Sequence, residues 1–187
     1  MTKAGLTFVL FCSTLASSQT GVMHDEPLPS LKPLARLLLG HWTGRVVSNP
    51  INEQGSSETG VGDETWTVAP GGVALLEANR ITIGGSTSSD FAAIWWNPAS
   101  RSFEGLWCAD YNGEGCNGFD VQLEGFTVVL SGEWLSKGTR KAWRETFTRP
   151  TPETWKETLS LGPRGGPLKL ASVFDATKAK GESKNAH

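Results

Sequence analysis

Three glutamates in this chain stand among large apolar residues at a spacing of two. Glu77 alternates with Val73, Leu75 and Ile81, Glu145 lies between Trp143 and Phe147, and Glu157 lies between Trp155 and Leu159. In an extended strand that period puts each carboxyl group on the same face as its apolar neighbours. An apolar cavity with a few placed polar groups is the usual make-up of a small-molecule site, and an inward carboxylate there accepts a hydrogen bond from a ligand hydroxyl or amine. Two inward carboxylates are also the working parts of acid–base hydrolysis of a glycoside or lactone. A plainer alternative stays open: the glutamates lie at strand ends or beside a bulge, where water or Arg80, Arg140 or Arg144 neutralises them.

The tryptophans pose the same choice. Trp66, Trp95, Trp96, Trp107, Trp134, Trp143 and Trp155 follow one another through the chain, and each can bury on the order of 200 Å² whether it fills a core or walls a ligand cage. Trp95 and Trp96 are adjacent, so a regular strand turns one of them outward. The residues expected to line a ligand site are Trp66, Glu77, Trp96, Trp107, Trp143, Glu145, Trp155 and Glu157. The ligand is expected to be small and largely apolar. The rival reading is a filled barrel that serves as an interaction module of the cell envelope.

Other chemistry does not find its parts. The chain has no suitable Cys-His pair, no His-Glu-x-x-His, no Gly-x-Ser-x-Gly and no phosphate-cradling loop, so no catalytic residue is assigned. Asp110 to Gly115 places oxygen-bearing residues and a glycine as a calcium loop does, but position twelve is Val121 where a bidentate Glu is needed, so no metal site is expected. Cys108 and Cys116 flank Asn112-Gly113, a hairpin-turn signal that sets the two thiols opposite each other. A bridge closing about nine residues would contribute roughly 2.5 kcal/mol. An eight-residue spacing without a nearby His is not a usual zinc pattern.

The elements that must position these groups read as strands. Near 41–48, 61–68, 73–83, 90–97, 101–109, 116–123, 126–135, 139–149, 153–161 and 167–175 the chain is rich in apolar, β-branched and aromatic residues, and Gly, Pro, Asn or Ser clusters close each run. About ten sequential strands joined by short turns predict an all-β, up-and-down antiparallel barrel, because closure removes the exposed sheet edges. Before the strands, Leu31, Leu34, Leu37 and Leu38 recur at helical spacing between Ser30, a candidate cap, and Gly40. This predicts a short helix acting as a lid or plug. The longer stretch from Asn49 to Gly60 is a candidate flap at the mouth.

Length and charge bound the rest. The 187 residues carry a net charge of −2, with eight Trp, eight Phe, 22 Gly and 10 Pro, and this composition offers no basic surface for nucleic acid. Lys3 followed by the apolar stretch Ala4 to Ala16 reads as a secretory signal. Cleavage is expected after Ser18, with Ala16 as a competing site. Cys12 suggests a lipoprotein instead, but Phe11 is bulky where such sites need a small residue. The expected organisation is a signal peptide over 1–18, a leader over 19–29, one domain over 30–176 and a flexible tail over 177–187. Localisation is extracytoplasmic, periplasmic or secreted, with no integral membrane segment once the signal is removed, and such a compartment permits a disulfide. Nothing in the sequence bears on oligomeric state.

The run Leu37-Leu38-Leu39-Gly40-His41-Trp42-Thr43-Gly44 resembles the opening of lipocalin-like barrels, where a short helix leads into Gly-x-Trp on the first strand. With Gly60 to Trp66, Pro70-Gly71-Gly72 and Arg144 to Trp155 it is similar to the bacterial domain of unknown function 1579 family over residues 31 to 176. The resemblance implies a calycin-type barrel in which Trp42 is a structural plug, and it brings no activity with it. A related barrel family binds heme through a histidine late in the chain. Here the histidines are His24, His41 and His187, so no axial ligand is in place and no cofactor is expected; His41 reads as a rim residue.

Overall fold

The computed structural model of the chain describes residues 26–49, 55–110, 115–136 and 138–179. The expected signal peptide, most of the leader, the Asn112-Gly113 turn, the centre of the 49–60 loop, His24, His187 and most of the tail lie outside the described residues.

Ten strands follow one short helix: α1 (Lys32–Leu38), then β1 (Gly40–Ser48), β2 (Glu58–Val68), β3 (Ala74–Ile83), β4 (Ser86–Asn97), β5 (Ser102–Ala109), β6 (Cys116–Glu124), β7 (Thr127–Ser136), β8 (Thr139–Thr151), β9 (Thr154–Pro163) and β10 (Lys169–Lys178). Each strand pairs antiparallel with the next, and β1 pairs with β10 to close the barrel. Closure leaves no unpaired edge for another chain to add to. The expected strand order holds throughout, and the differences are at ends. β4 starts at Ser86 rather than near 90, because the polar run Ser86–Asp90 pairs with Asn79–Ile83. β8 runs through Pro150 to Thr151, with a register shift between Thr148 and Thr151 that accommodates the proline. β10 extends to Lys178.

Because the strands alternate in direction, the barrel has two distinct ends. The end at the start of β1 is closed by α1, whose Leu34 and Leu38 are fully buried. Ser30 does not cap this helix; Leu31 occupies the cap position without a side-chain hydrogen bond, and Pro33 fixes the first turn. Trp42 is completely buried beside α1, donates its indole N–H to the Leu38 carbonyl at 3.1 Å and stacks on Trp155 with ring centres 4.9 Å apart. Trp42 thus packs between α1 and Trp155 at this end. Gly40 makes room for it: φ is +147°, and a Cβ there would stand 3.1 Å from the indole.

The opposite end carries the β1–β2, β3–β4, β5–β6, β7–β8 and β9–β10 connections. Cys108 and Cys116 face each other across β5 and β6 at this rim. They stand at disulfide-bonding distance, their Cα atoms 4.2 Å apart.

Candidate functional site

Strand parity sorts the interior into three levels. Along β8, Phe147 faces the closed half, Glu145 the middle and Trp143 the open half; along β9 the order is Trp155, Glu157, Leu159 and Leu161. The closed half is packed solid: Trp66, Leu75, Ile94, Leu130, Phe147 and Trp155 are buried in one cluster. Trp66 meets Phe147 edge-on at 6.2 Å, and Phe147 meets Trp155 at 5.3 Å.

Above this packing lies a layer of carboxyl groups. Glu64 is completely buried, and Glu77 and Glu157 nearly so. Glu145 and Glu157, Glu157 and Glu64, and Glu64 and Glu77 lie within reach of each other for a shared proton to bridge them, and Glu64 Oε2 is buried without another donor. The Trp66 indole N–H is donated to Glu64 Oε1. Carboxyl groups bond to each other only when they share protons. Burial pushes the pKa values of Glu64, Glu77 and Glu145 well above the ordinary carboxylate range, and neighbouring negative charge pushes them further. Glu157 is also raised by burial, but the hydrogen bonds from Glu145 and Glu64 oppose that. Within this layer of four, Glu157 is therefore the group best placed to carry negative charge, with protonated neighbours donating to it.

The fifth acid, Asp90, lies nearer the mouth. Its pKa is raised from 3.8 to about 7, first by burial and then by the charge of Glu157, while hydrogen bonds from Trp107 and Asn79 oppose the rise. Asn79 Nδ2 donates to Asp90 at 3.3 Å, and Asn79 Oδ1 is buried without a partner.

Between this layer and the mouth the barrel is open. A cavity of about 300 Å³ is lined by Trp107, Trp134 and Trp143, by Asp90, Glu145 and Glu157, and by Asn79, Ile81, Leu159, Leu161 and two serines, Ser136 and Ser172. Trp107 and Trp143 approach at 5.8 Å, and Phe119 buttresses Trp143 at 5.5 Å. Gly132 sits under the Trp143 ring, where a Cβ would be 2.9 Å from the indole nitrogen; any larger residue there would tip the ring. Lys141 stands at the rim with Nζ 6.0 Å from the Trp134 ring centre.

Of the eight residues expected at a ligand site, the structure brings Trp107, Trp143, Glu145 and Glu157 to the cavity wall. Glu77 lies in the carboxyl layer beneath. Trp66, Trp96 and Trp155 do not reach the cavity: Trp66 and Trp155 fill the closed half, and Trp96 packs on Phe103 at 5.0 Å. They sit one or more strand repeats too close to the sealed end, a coordinate that parity alone does not give. Val73 is exposed outside β3, so the alternation around Glu77 begins at Leu75. Neutralisation by arginine is overturned as well. Arg140 pairs with Glu133 on the outer face at 3.6 Å, and among the described residues no ion pair joins the interior acids to a basic side chain. His41 is exposed and hydrogen-bonds Asp63 at 2.8 Å, as a rim residue would. Sequence reasoning missed Glu64, Asp90 and Asn79. The available signal was their parity, Glu64 with Trp66 and Asp90 with Ala92 and Ile94.

No protein-family model matches this chain, the domain of unknown function 1579 family included, and no curated protein matches it by sequence. Solved structures do match in fold. The crystal structure of Rv2717c from M. tuberculosis aligns with a TM-score of 0.58 at 13% identity, covering 83% of this chain and 100% of that one. The S-type phycobiliprotein lyase CPES from Guillardia theta aligns with a TM-score of 0.53 at 14% identity, covering 81% and 94%. The chain shares the antiparallel barrel fold of these two proteins. Identity this low shows the fold alone.

Proposed function

We propose that this chain is a non-enzymatic barrel that holds a small, largely apolar molecule in the cavity at its open end. The observation that carries the reading is a space of about 300 Å³ walled by three tryptophans and reached by the carboxyl groups of Asp90, Glu145 and Glu157. A barrel built only as a scaffold would close that space, since unfilled interior volume forfeits packing contacts. The likeness to a phycobiliprotein lyase is consistent with a ligand-binding barrel and leaves the ligand open. Hydrolysis by paired carboxylates fits less well. Glu145 and Glu157 are in direct hydrogen-bond contact, whereas glycoside hydrolysis needs the two groups roughly 5 Å or more apart with the substrate between them.

Export belongs to the same reading. Lys3 and the apolar run to Ala16, with a cysteine pair at bonding distance on the rim, support an extracytoplasmic location.

The test uses N-phenylnaphthylamine, a neutral apolar dye that brightens on leaving water. The purified protein should bind it with one-to-one stoichiometry. Ser136→Trp, which places a bulky ring in the cavity wall, should keep the fold and abolish binding. Undiminished binding by a folded Ser136→Trp protein would put the site elsewhere.

A further inference from the structure

The cavity's polar wall is made largely of acceptors. Asp90, Glu145 and Glu157 reach it, and Asn79, whose amide nitrogen donates to Asp90, adds a buried carbonyl oxygen that no group among the described residues satisfies. A buried acceptor left unpaired is costly, so this oxygen points to a donor that the protein itself does not supply. The Trp143 indole N–H is buried and unpaired on the same wall. Among the described residues no ion pair supplies a balancing charge to these acids. Arg149 is engaged at the sealed end by the carbonyls of Arg36 and Pro152, and Lys141 stays at the rim on Trp134. Among the described residues no group of three or more His, Cys, Asp or Glu side chains has an arrangement that could hold a metal ion.

Resting on the ligand-binding reading above, we propose that the molecule this cavity takes is an organic cation, a protonated amine or amidine on an apolar body. Its charged head lies against Glu157, Glu145 and Asp90, with an N–H for Asn79 Oδ1, and its body lies between Trp107, Trp134 and Trp143. The chemistry is complementary twice over. In a low-dielectric interior a cation gains far more from a carboxylate than it does in water, and indole faces attract cations through their quadrupole. An anion meets like charge at the carboxyl layer. A neutral ligand leaves that layer holding its shared protons and gains no Coulomb term. Among the described residues the titratable and charged groups around the head are Glu64, Glu77, Asp90, Glu145 and Glu157, with Asp110 acting on Asp90 and Lys141 at the mouth. A bound cation lowers the proton affinity of these acids, so binding expels protons.

The experiment compares three indoles of one shape, tryptamine, tryptophol and indoleacetate, which are cationic, neutral and anionic. Calorimetry is run at neutral pH in two buffers of different ionisation enthalpy. Tryptamine should bind about tenfold or more tighter than tryptophol, indoleacetate weakest, and tryptamine alone should release protons, up to about one per site. Glu157→Gln, and independently Glu145→Gln, each shown to be folded by circular dichroism, should narrow the preference for tryptamine over tryptophol, and a preference unchanged in both folded variants would overturn the placement of the head against these carboxyl groups. Should tryptophol bind as tightly as tryptamine, or tryptamine bind without proton release, the cationic ligand is ruled out while the cavity reading stands. Should none of the indoles and not even the neutral dye bind, both readings fall.

Discussion

The guanidinium carbon of Arg149 lies 5.0 Å from the centre of the Trp42 indole, so a cation from β8 covers the tryptophan that β1 folds into the sealed end. The same guanidinium donates to the Arg36 carbonyl of α1 and to the Pro152 carbonyl of the β8–β9 turn, each at 2.7 Å. One planar group thus ties helix, turn and plug together. A lysine cannot repeat this, since its single ammonium lacks the fork. Arg149→Lys should therefore destabilise the protein by about 2 kcal/mol in urea unfolding, and Arg149→Ala by about 3 kcal/mol. A change under about 0.5 kcal/mol for Arg149→Ala would show that α1 and Trp42 seal the barrel without it.

At the other end, the rim hairpin of β5 and β6 is held by the cysteine pair. Exported protein under non-reducing conditions should show no thiol that labels at Cys108 or Cys116. Reduction should lower stability by roughly 2.5 kcal/mol, the loop-closure contribution for about nine residues. Because Trp107 precedes Cys108 on the strand and lines the cavity, reduction should also weaken dye binding. Two freely labelling thiols in native protein would remove the bridge.

The mature chain should begin near Gln19, since the apolar run ends at Ala16 and small residues follow. Intact-mass measurement of protein recovered from outside the cytoplasm settles it: a mass that retains Met1 or Lys3 is incompatible with cleavage there.

How far the site could be read in the sequence depends on which coordinate is asked for. Parity is written locally, so Glu145 between Trp143 and Phe147 announces an inward carboxyl group. Glu64 does not announce itself, because its inward neighbour is Gly62 on one side and the adjacent acid Asp63 leaves the phase ambiguous; only Trp66 marks the face. Asp90 opens the strand expected near 90–97 directly after a polar run, so nothing local marks it as inward until its pairing with Asn79 is known. Height along the barrel is less legible still. That Trp155 lies in the plug and Trp143 in the cavity follows from strand direction and register across the whole closed sheet. The meeting of Glu64 and Glu77 with Glu145 and Glu157 is a contact across the interior, between β2–β3 and β8–β9, which no local pattern encodes. What was legible in full was the order of the strands, because turn residues punctuate a meander one connection at a time.

The carboxyl layer has a consequence for stability that runs opposite to ordinary acid denaturation. A group whose pKa is higher in the folded state binds more protons there than in the unfolded chain, so stability falls as pH rises between the two values. For Asp90 that window runs from 3.8 to about 7, and Glu64, Glu77 and Glu145 shift in the same direction. The protein should therefore be more stable near pH 5 than near pH 8, by a few kcal/mol in urea unfolding at the two values. Glu145→Gln isolates one contributor. The amide keeps the shape and still donates to Glu157, but it has no charge to bury. Near pH 5, where Glu145 holds its proton, the substitution should be close to neutral; near pH 8 it should stabilise by about 1 kcal/mol or more. In the same variant the affinity for a ligand that donates to this carboxylate should drop roughly tenfold to hundredfold. Stability that does not depend on pH, or a Glu145→Gln protein less stable than the parent near pH 8, would mean that water reaches this carboxyl group and that it does not belong to a dry, proton-sharing layer.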